Sequence, residues 1–470
     1  MSVFGEWFGP GLKMKRWLFL VLVGTTMLSY SIARILTNQE MEIYALIIYA
    51  LMFVFGIVAI ITGFMMAQRR MLQAIAEYSA NQNVRNLSIK RLLYDKKMLD
   101  RNIKVVAIGD GAGLSAVLKG VKIFSNNVTA IVSVIGKNTR ASGNTIDITG
   151  IKKAMVALAE QEGELASFMN YRILNGELAG INSGDLFIES LMNLHNGNLS
   201  EAIQHMSKIL AIKGKVVPST LNQLDLGAIL NDGTRVVGKN ELLNKISERN
   251  SPIEKLFLMP ERCEPAPEVI RSIKEADVII IGPGSLYMGI LPILLIREVA
   301  DAIKKSKANK IFVSNIMTEA GQTDNYSVSD YIHVIEEHIG KGLFDYCIVS
   351  DSDIMPEYIR RYNQNGSDLV DIDKHILKNM NMNLIIDDLS VVDETNSIHH
   401  NPVKLAKAIV KIICDNMDMR DNSTTLDYYT MKSKMDGVNR KKKTNILFRD
   451  VKVINPKKRV KKEVKKVTKK

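Results

Sequence analysis

The segment VVAIGDGAGLSAVLKG places three glycines directly after a run of β-branched residues and before an apparent helix. Bare backbone N–H groups at the start of a helix form a site for an anion such as a phosphate. A tight strand-to-helix turn would use the same glycines for packing alone, and the composition leaves both interpretations open. The residues of this first loop that could meet a ligand are Gly109, Gly111, Gly113, Leu114 and Ser115.

Asp110 stands among these glycines, where its negative charge would oppose a phosphate. The loop does not match the dinucleotide fingerprint G-x-G-x-x-G, because Leu114 occupies the place of the third glycine. No acidic residue suited to a ribose follows about twenty residues later, and the Gly-Lys-Ser/Thr of a Walker loop is absent. The sequence thus excludes both nucleotide motifs and leaves a different anion site open.

Two further polar segments follow strand-like runs. The second loop is Gly282-Pro283-Gly284-Ser285, with Ser285 as a candidate helix N-cap. The third segment, residues 314–332, concentrates hydrogen-bonding groups where a ligand would lie, although a capped turn with Ser329 and Asp330 starting the next helix explains it equally. Its candidate ligand residues are Asn315, Thr318, Gly321, Gln322, Thr323 and Asp324.

These loops need a sheet to bring them together. From Ile103 onward, short and fully apolar runs alternate with helical stretches, which is typical of strands buried on both faces of a parallel sheet. We therefore expect an α/β fold, a doubly wound and mostly parallel sheet with helices on both faces. Residues 151–245 are expected to be mainly helical, with a hairpin that turns at Asp232-Gly233. Ligands bind at the carboxyl ends of such strands.

Two charge-free apolar runs precede this core, and we expect them to span a membrane at about residues 17–36 and 43–67. Basic residues lie before the first run and after the second, whereas the connection holds Glu40 and Glu42. The positive-inside rule then places both termini and the main domain in the cytoplasm, with the chain in the cell membrane. Neither run contains an internal charge, which favours an anchor over a transport path.

The expected organisation is a transmembrane hairpin at 1–67, a charged helical linker at 68–102, an α/β domain at 103–415 and a basic tail at 416–470. From residue 431 to 470 the tail has 17 Lys or Arg against three Asp or Glu, a net charge of +14 in a chain of +12. We expect a largely disordered tail that binds anionic lipid, with an apolar island at 444–456 that could dock on a partner. Without interleaved aromatic residues, nucleic acid is not expected as a partner.

Other chemistry-bearing residues give weaker signals. The three cysteines are far apart, which excludes a disulfide framework and a thiolate zinc site. His333 and His338 do not form H-E-x-x-H and are expected at the surface. Asp351 and Asp353 lack the rest of a calcium loop, so a loop or helix cap is the better interpretation. No metal site is expected.

The three loops, together with GDLFIESL at 184–191, resemble in order the motifs of the YvcK-like gluconeogenesis-factor family, which shares its fold with 2-phospho-L-lactate transferase (CofD). The family shows G-G-G-T-G-L-S, G-x-L-F-I, G-P-G-S-L-Y-x-x-I-L-P and N-x-M-T-x-x-G-E-T-D-x-Y. This chain has GDGAGLS, GDLFIESL, GPGSLYMGILP and NIMTEAGQTDNY. The similarity covers roughly residues 103–415.

The resemblance implies a regulator that binds a UDP-sugar such as UDP-N-acetylglucosamine and influences carbon metabolism, cell shape or envelope synthesis. It also implies that the glycine loops, Asn315 and Thr318 line the ligand cleft. His399 would contribute by its place in the family's Arg-His pair, which here reads His399-His400.

The departures from the family lie mostly at the expected ligand face. Asp110 replaces a small uncharged residue, Gln322 replaces Glu, and the family's acidic, glycine-rich segment has become VIGKNTRASG with Lys137 and Arg140. The loss of those acids argues against a role for Mg²⁺. We hypothesise from the sequence that Asp110 forms an ion pair with Lys137 or Arg140, which would close the ligand site on itself.

Two other functional classes stay open at this point. The CofD-like fold suggests a transferase of phospho-lactyl-type groups, although metal-assisted transfer needs carboxylates that are missing here. A degenerate, ligand-free membrane scaffold would keep only the fold and its partners. The sequence also leaves the oligomeric state open, a homo-oligomer included.

Overall fold

A computed structural model describes most of the chain. The described residues are 15–37, 43–79, 103–136, 147–160, 163–249, 251–416 and 452–454. The chain divides into two compact units, Met1–Met98 and Leu99–Lys470. Most of the expected linker and tail, as well as Lys137 and Arg140, lie outside the described residues.

The first unit contains two long helices, α1 (Lys15–Thr37) and α2 (Ile43–Ser79). They approach closely at a pair of glycines, because a methyl group on Gly24 would lie only 2.9 Å from the carbonyl oxygen of Gly56. The windows Phe19–Thr37 and Ile43–Met66 have mean hydropathies of 1.7 and 2.7 and are almost entirely unburied. By length and composition both helices could cross a membrane, although a signal sequence near the N-terminus meets the same criteria.

The second unit alternates strands and helices. Its strands are β1 (Val105–Gly109), β2 (Val128–Val132), β3 (Lys215–Pro218), β4 (Asp225–Leu230), β5 (Arg235–Val237), β6 (Ile253–Met259), β7 (Val278–Ile281), β8 (Asn309–Val313), β9 (Tyr346–Ser350), β10 (Asn383–Asp387), β11 (Ser390–Val392), β12 (Ile398–His400) and β13 (Lys452–Ile454). Its helices are α3 (Gly111–Val121), α4 (Thr149–Leu158), α5 (Glu164–Asn170), α6 (Ser183–Leu194), α7 (Leu199–Ile209), α8 (Lys239–Arg249), α9 (Pro267–Glu275), α10 (Leu291–Leu294), α11 (Arg297–Lys305), α12 (Val328–Ile339), α13 (Pro356–Asn363), α14 (Lys374–Asn379) and α15 (Pro402–Asn416).

The main sheet has the order β13-β10-β9-β8-β7-β1-β2-β3. All its pairs are parallel except β10 with β13, which confirms the predicted doubly wound, mostly parallel α/β fold. The chain winds outward from β1 to β3 and then returns to β7 on the other side of β1. The switch point therefore lies between β1 and β7, which is where the loops following these two strands meet.

Both faces of this sheet are covered. Val105 and Ala107 belong to one apolar core, whereas Val106 and Ile108 belong to the core on the opposite face. Because successive side chains of a strand point to opposite faces, this alternation explains why the strand sequences are apolar throughout.

A smaller antiparallel sheet, β5-β4-β6, is inserted between β3 and β7. Gly233 adopts a φ of +79° in the turn between β4 and β5, which confirms the predicted hairpin at Asp232-Gly233. His338 of α12 accepts a hydrogen bond from the Leu256 N–H at 3.1 Å through Nε2, and its Nδ1 lies 2.7 Å from the Val334 carbonyl oxygen. His338 is therefore a half-buried link between α12 and β6, and the expectation of a surface group was wrong because this long-range pairing leaves no local sequence signal.

The apolar island of the tail contributes β13. Its backbone pairs with β10 in antiparallel register, with Ile454 opposite Leu384. A sheet edge offers unpaired N–H and C=O groups that an extended segment can bind. Part of the segment expected to dock on a partner thus lies on the sheet of its own chain.

A candidate ligand cleft at the switch point

The first loop leads from β1 into α3 and places Asp110 at the helix N-cap. Asp110 Oδ1 accepts a hydrogen bond of 2.6 Å from the Gly111 N–H, so its carboxylate lies at the positive end of the helix. Gly111 has a φ of +67°, a conformation that favours glycine. Leu114 is buried in the core, and the Ser115 hydroxyl donates to the Gly111 carbonyl oxygen within the helix. Neither Leu114 nor Ser115 presents a free polar group to a ligand.

The second loop follows β7 and opens a short π-helix at Leu286–Ile290. Gly282 has a φ of +79°, and the Gly282–Pro283 peptide is cis. Ser285 is the N-cap, as predicted, and its hydroxyl oxygen accepts from the Met288 N–H at 3.3 Å. The sequence therefore located the cap but not the π-helical geometry that follows it.

Asn315, which directly follows β8 and Ser314, holds the second loop. Its Oδ1 accepts from the Gly284 N–H at 3.0 Å, and its Nδ2 donates to the Gly284 carbonyl oxygen at 3.0 Å. Both backbone groups of Gly284 are thereby satisfied by one side chain. The predicted ligand residue Asn315 is thus engaged in positioning the loop.

The two glycine loops are in direct contact. A methyl group on Gly113 would lie 2.6 Å from the Pro283 carbonyl oxygen, and one on Gly284 would lie 2.9 Å from the backbone N and O of Asp110. Only glycine allows backbones to approach this closely. The close packing of the two loops is therefore enough to explain why positions 113 and 284 are glycine, whether or not the loops bind a ligand.

The third segment is also held by its own side chains. Thr318 Oγ1 accepts from the Asp368 N–H, and Thr323 Oγ1 accepts from the Glu319 N–H, each at 2.8 Å. Gly321, with a φ of +76°, donates its N–H to Asp324 Oδ1 at 3.0 Å. These residues of the third segment lie before the start of the next helix. Helix α12 begins with a capping box formed by Ser327 and Asp330, so Asp330 starts the helix as the sequence allowed, whereas Ser329 lies inside it and Ser327 is the N-cap.

Four side chains bring charge to the switch point, and sequence reasoning missed their grouping. Lys239, at the start of α8 in the inserted region, forms an ion pair with Asp147 at 3.1 Å. Although burial acts to raise it, Lys239 and the Thr149 N–H hold the pKa of Asp147 below its usual value. Glu319 Oε2 accepts from the Ser285 hydroxyl at 2.8 Å and interacts electrostatically with Asp110 and Lys239.

Burial raises the pKa of Asp110, and Asp147 adds to the effect, while Lys239, the Gly111 N–H and Lys153 oppose it. Burial likewise raises the pKa of Glu319, opposed by the Ser285 hydroxyl and Lys239 and reinforced by Asp110. The cleft is thus richer in carboxylates than its glycine loops suggest. Among the described residues, no group of three or more His, Cys, Asp or Glu is placed to hold a metal ion.

The two adjacent histidines are placed very differently. His399 Nε2 lies 3.0 Å from Asp393 Oδ2 in a pair that is about one-third exposed. Burial lowers the pKa of His400 to about 4, with His399 acting in the same direction. Within the part of the chain that the structure describes, His400 Nε2 has no hydrogen-bond partner. Of the pair, the residue not singled out by sequence is therefore the buried one.

Comparison with known proteins places these features in a family. The family model for 2-phospho-L-lactate transferase CofD matches residues 105–390. A curated protein of Clostridium acetobutylicum is 31% identical over 92% of this chain and 97% of its own length. A protein of Bacillus subtilis named gluconeogenesis factor is 34% identical over 66% of this chain and 98% of its own length.

A solved structure agrees with the fold. The crystal structure of a UPF0052-family protein from Bacillus halodurans superposes with a TM-score of 0.62 at 33% sequence identity. It covers 66% of this chain and 99% of the solved chain. Nearly all of that solved chain therefore has a counterpart in about two thirds of this chain.

Proposed function

Because the chain belongs to the gluconeogenesis-factor family, with its CofD-type domain, we propose that its α/β unit is a regulatory receptor for a UDP-sugar. UDP-N-acetylglucosamine represents the ligand class. The receptor would influence carbon metabolism, cell shape or envelope synthesis. The two N-terminal apolar helices would hold it at the cell membrane, with the α/β unit in the cytoplasm and the basic tail on anionic lipid.

One observation carries the proposal: the loops after β1 and β7 meet at the switch point of a doubly wound sheet. Ligands of such folds bind at the carboxyl ends of the strands at this point. Lys239 lies beside the loops and supplies a cation that could interact with a diphosphate. The loop donors Gly111 N–H, Gly284 N–H and Ser285 hydroxyl already have partners, which favours a receptor that rearranges on binding.

Calorimetric titration of the full chain in a neutral detergent, with and without Mg²⁺, tests this function. We expect saturable micromolar binding of UDP-N-acetylglucosamine and much weaker binding of GDP-mannose. Replacing Asn315 by Ala should weaken binding at least about tenfold, because the Gly284 loop loses both of its bonds. Asn381→Ala is the matched control, since Asn381 is exposed and precedes β10 at the opposite edge of the sheet.

Two outcomes would contradict the receptor. Transfer of a labelled group from a nucleotide donor to an acceptor would identify a transferase. Absence of binding and of turnover under all conditions would leave a scaffold without a ligand. An equal loss of affinity in Asn315→Ala and Asn381→Ala would place the binding site elsewhere.

A further inference from the structure

The carboxylate of Asp110 lies at the position that an anionic ligand would take on α3. Its Oδ1 accepts the Gly111 N–H, one of the donors that the start of a helix offers to an anion. The residue has the extended N-cap backbone, with φ −151° and ψ 167°, that directs its side chain back toward the helix. A ligand phosphate at this place would compete with the carboxylate for the same N–H.

The surroundings of Asp110 leave no room for both groups. A methyl group on Gly289 would lie 2.5 Å from Asp110 Cβ and 3.4 Å from Oδ2. One on Gly150 would lie 3.0 Å from Oδ1, and one on Gly284 would meet the Asp110 backbone. Glycines of two segments, the loop and π-helix after β7 and the start of α4, thus enclose Asp110. The Asp110 carboxyl fills a space so tight that a methyl group on Gly289 or Gly150 would clash with the side chain.

The charged groups around Asp110 in the described part of the chain do not neutralise it. Lys239 of α8 and Lys153 of α4 face it, but Asp147, before α4, is also close, and Asp147 forms the ion pair with Lys239. Glu319, from the loop after β8, adds a third carboxylate that interacts with Asp110. Among the residues that the structure describes, three acids thus lie near two lysines, while Lys137 and Arg140 fall outside these residues. A dianionic diphosphate would be opposed by the net charge of these five groups.

We infer that Asp110 is a built-in competitor for the phosphate of the ligand, so that a diphosphate binds this cleft together with one proton. Protonation removes the charge that repels the ligand and leaves the carboxyl a weaker acceptor for the Gly111 N–H, which a phosphate can then displace. The inference rests on the proposed receptor function and adds a regulation to it. Occupancy of the cleft would follow the pH of the cytoplasm.

The pH dependence of binding to the full chain tests the inference, in a neutral detergent with EDTA to remove divalent cations. UDP-N-acetylglucosamine is the first probe, and symmetrical dimethyl diphosphate, which carries the diphosphate alone, is the second. Both are diphosphate diesters whose charge is constant between about pH 6 and pH 8. Above the pKa of the free carboxyl, affinity should fall about tenfold for each pH unit, as one-proton linkage requires.

Asp110→Asn keeps the oxygen that accepts the Gly111 N–H but removes the charge, and Asp110→Gly removes the competitor. We expect both variants to bind the probes more tightly than the natural chain at about pH 8 and to lose the pH dependence. Asp373→Asn is the matched control, because Asp373 is an N-cap acid of another helix, α14, and contacts Ser327 and Ser329 rather than the glycine loops. It should keep the natural pH profile. Thermal unfolding would verify that each variant is folded.

The outcomes separate the inference from the function on which it rests. Binding of dimethyl diphosphate that depends on pH and on Asp110, without binding of UDP-N-acetylglucosamine, would support Asp110 as a competitor. The same result would contradict the UDP-sugar receptor. Nucleotide-sugar binding that is equally tight at all pH values, or unchanged in Asp110→Asn, would overturn the competitor and leave the receptor intact. Restoration of binding at about pH 8 by Mg²⁺ through Asp110 would also overturn it, since the carboxylate would then serve the ligand's cation. No binding of either probe to any variant would overturn both.

Discussion

The backbone N–H groups of the two glycine loops at the switch point have different kinds of hydrogen-bond partner. In the loop after β1, the donor of Gly111 is satisfied by a carboxylate, Asp110, whose charge depends on its surroundings. In the loop after β7, the donor of Gly284 is satisfied by the neutral amide of Asn315. The hydrogen bond to the Asp110 carboxylate therefore depends on pH and on nearby charge. The hydrogen bond to the Asn315 amide depends only on geometry. Two glycine loops at neighbouring strand ends are thus held by groups of different chemistry.

Of the substitutions that test this difference between the loops, removal of Lys239 should change the free energy of unfolding most. Lys239→Met leaves Asp147, Asp110 and Glu319 without their shared cation, and we expect the free energy of unfolding near neutral pH to fall by about 2–3 kcal/mol. Lys239 holds the pKa of Asp147 down, so this stabilisation is present above the unfolded-state pKa of about 4 and is lost as the pH falls through the lower folded-state pKa. Thermal unfolding followed by circular dichroism should show a difference from the natural chain that persists above about pH 4 and narrows below it. A constant difference across pH would contradict the electrostatic closure of the first loop.

The contact between the two loops is tested by Gly113→Ala. The new methyl group would meet the Pro283 carbonyl oxygen at 2.6 Å, so we expect a loss of about 2 kcal/mol in the free energy of unfolding. Gly163→Ala is the matched control, because Gly163 has a φ of −118° and nothing would lie within 4 Å of the added methyl. Equal stabilities of the two variants would show that the loops do not depend on each other.

The closure of the second loop is tested by Asn315→Ala. The variant leaves the N–H and carbonyl of Gly284 without their partner, which should lower the free energy of unfolding by about 1.5 kcal/mol. Since neither bond involves an ionisable group, the loss should be the same at about pH 5 and about pH 8. If the loss in free energy of unfolding changed with pH, the second loop would not differ from the first in its dependence on pH.

The smallest effect, with the opposite sign, is expected for Asp110→Asn. Burial raises the pKa of Asp110, so its charged form is disfavoured in the folded protein, and the cost is fully present above the folded-state pKa. The neutral amide should therefore raise the free energy of unfolding near neutral pH by less than about 1 kcal/mol. The gain should disappear as pH falls toward the unfolded-state pKa near about 4. Destabilisation by this variant would show that the Asp110 charge supports the fold.

The sequence predicted the frame of the cleft well, because that frame depends on local patterns. Apolar runs and glycines located β1, β7 and the loops after them, and the hairpin at Asp232-Gly233 had a local signal. Lys239 had none, since it reaches Asp147 from an inserted region about ninety residues farther along the chain. A search for cations at helix starts near Gly-containing turns would have included it.

The roles of individual polar residues were harder to predict than their positions. An amide such as Asn315 can bind a ligand or hold a loop with the same two groups, and its type and place do not distinguish these roles. Glu319 lay within the third segment but was not selected, because its value comes from a contact with Ser285 across two loops. The choice of His399 over His400 depended on a family position, whereas burial separates the two only in the folded chain.

Helix α15 ends beside the first residue of β9, where the Asn416 amide donates to the Tyr346 hydroxyl at 2.8 Å. Since β1 and β9 run in the same direction, residue 103 and residue 416 both lie at the amino ends of the strands, opposite the glycine loops. Attachment to a sensor chip at either of these positions would therefore leave the mouth of the cleft facing bulk solution. The fold offers natural handles for single-molecule or surface-based ligand measurements.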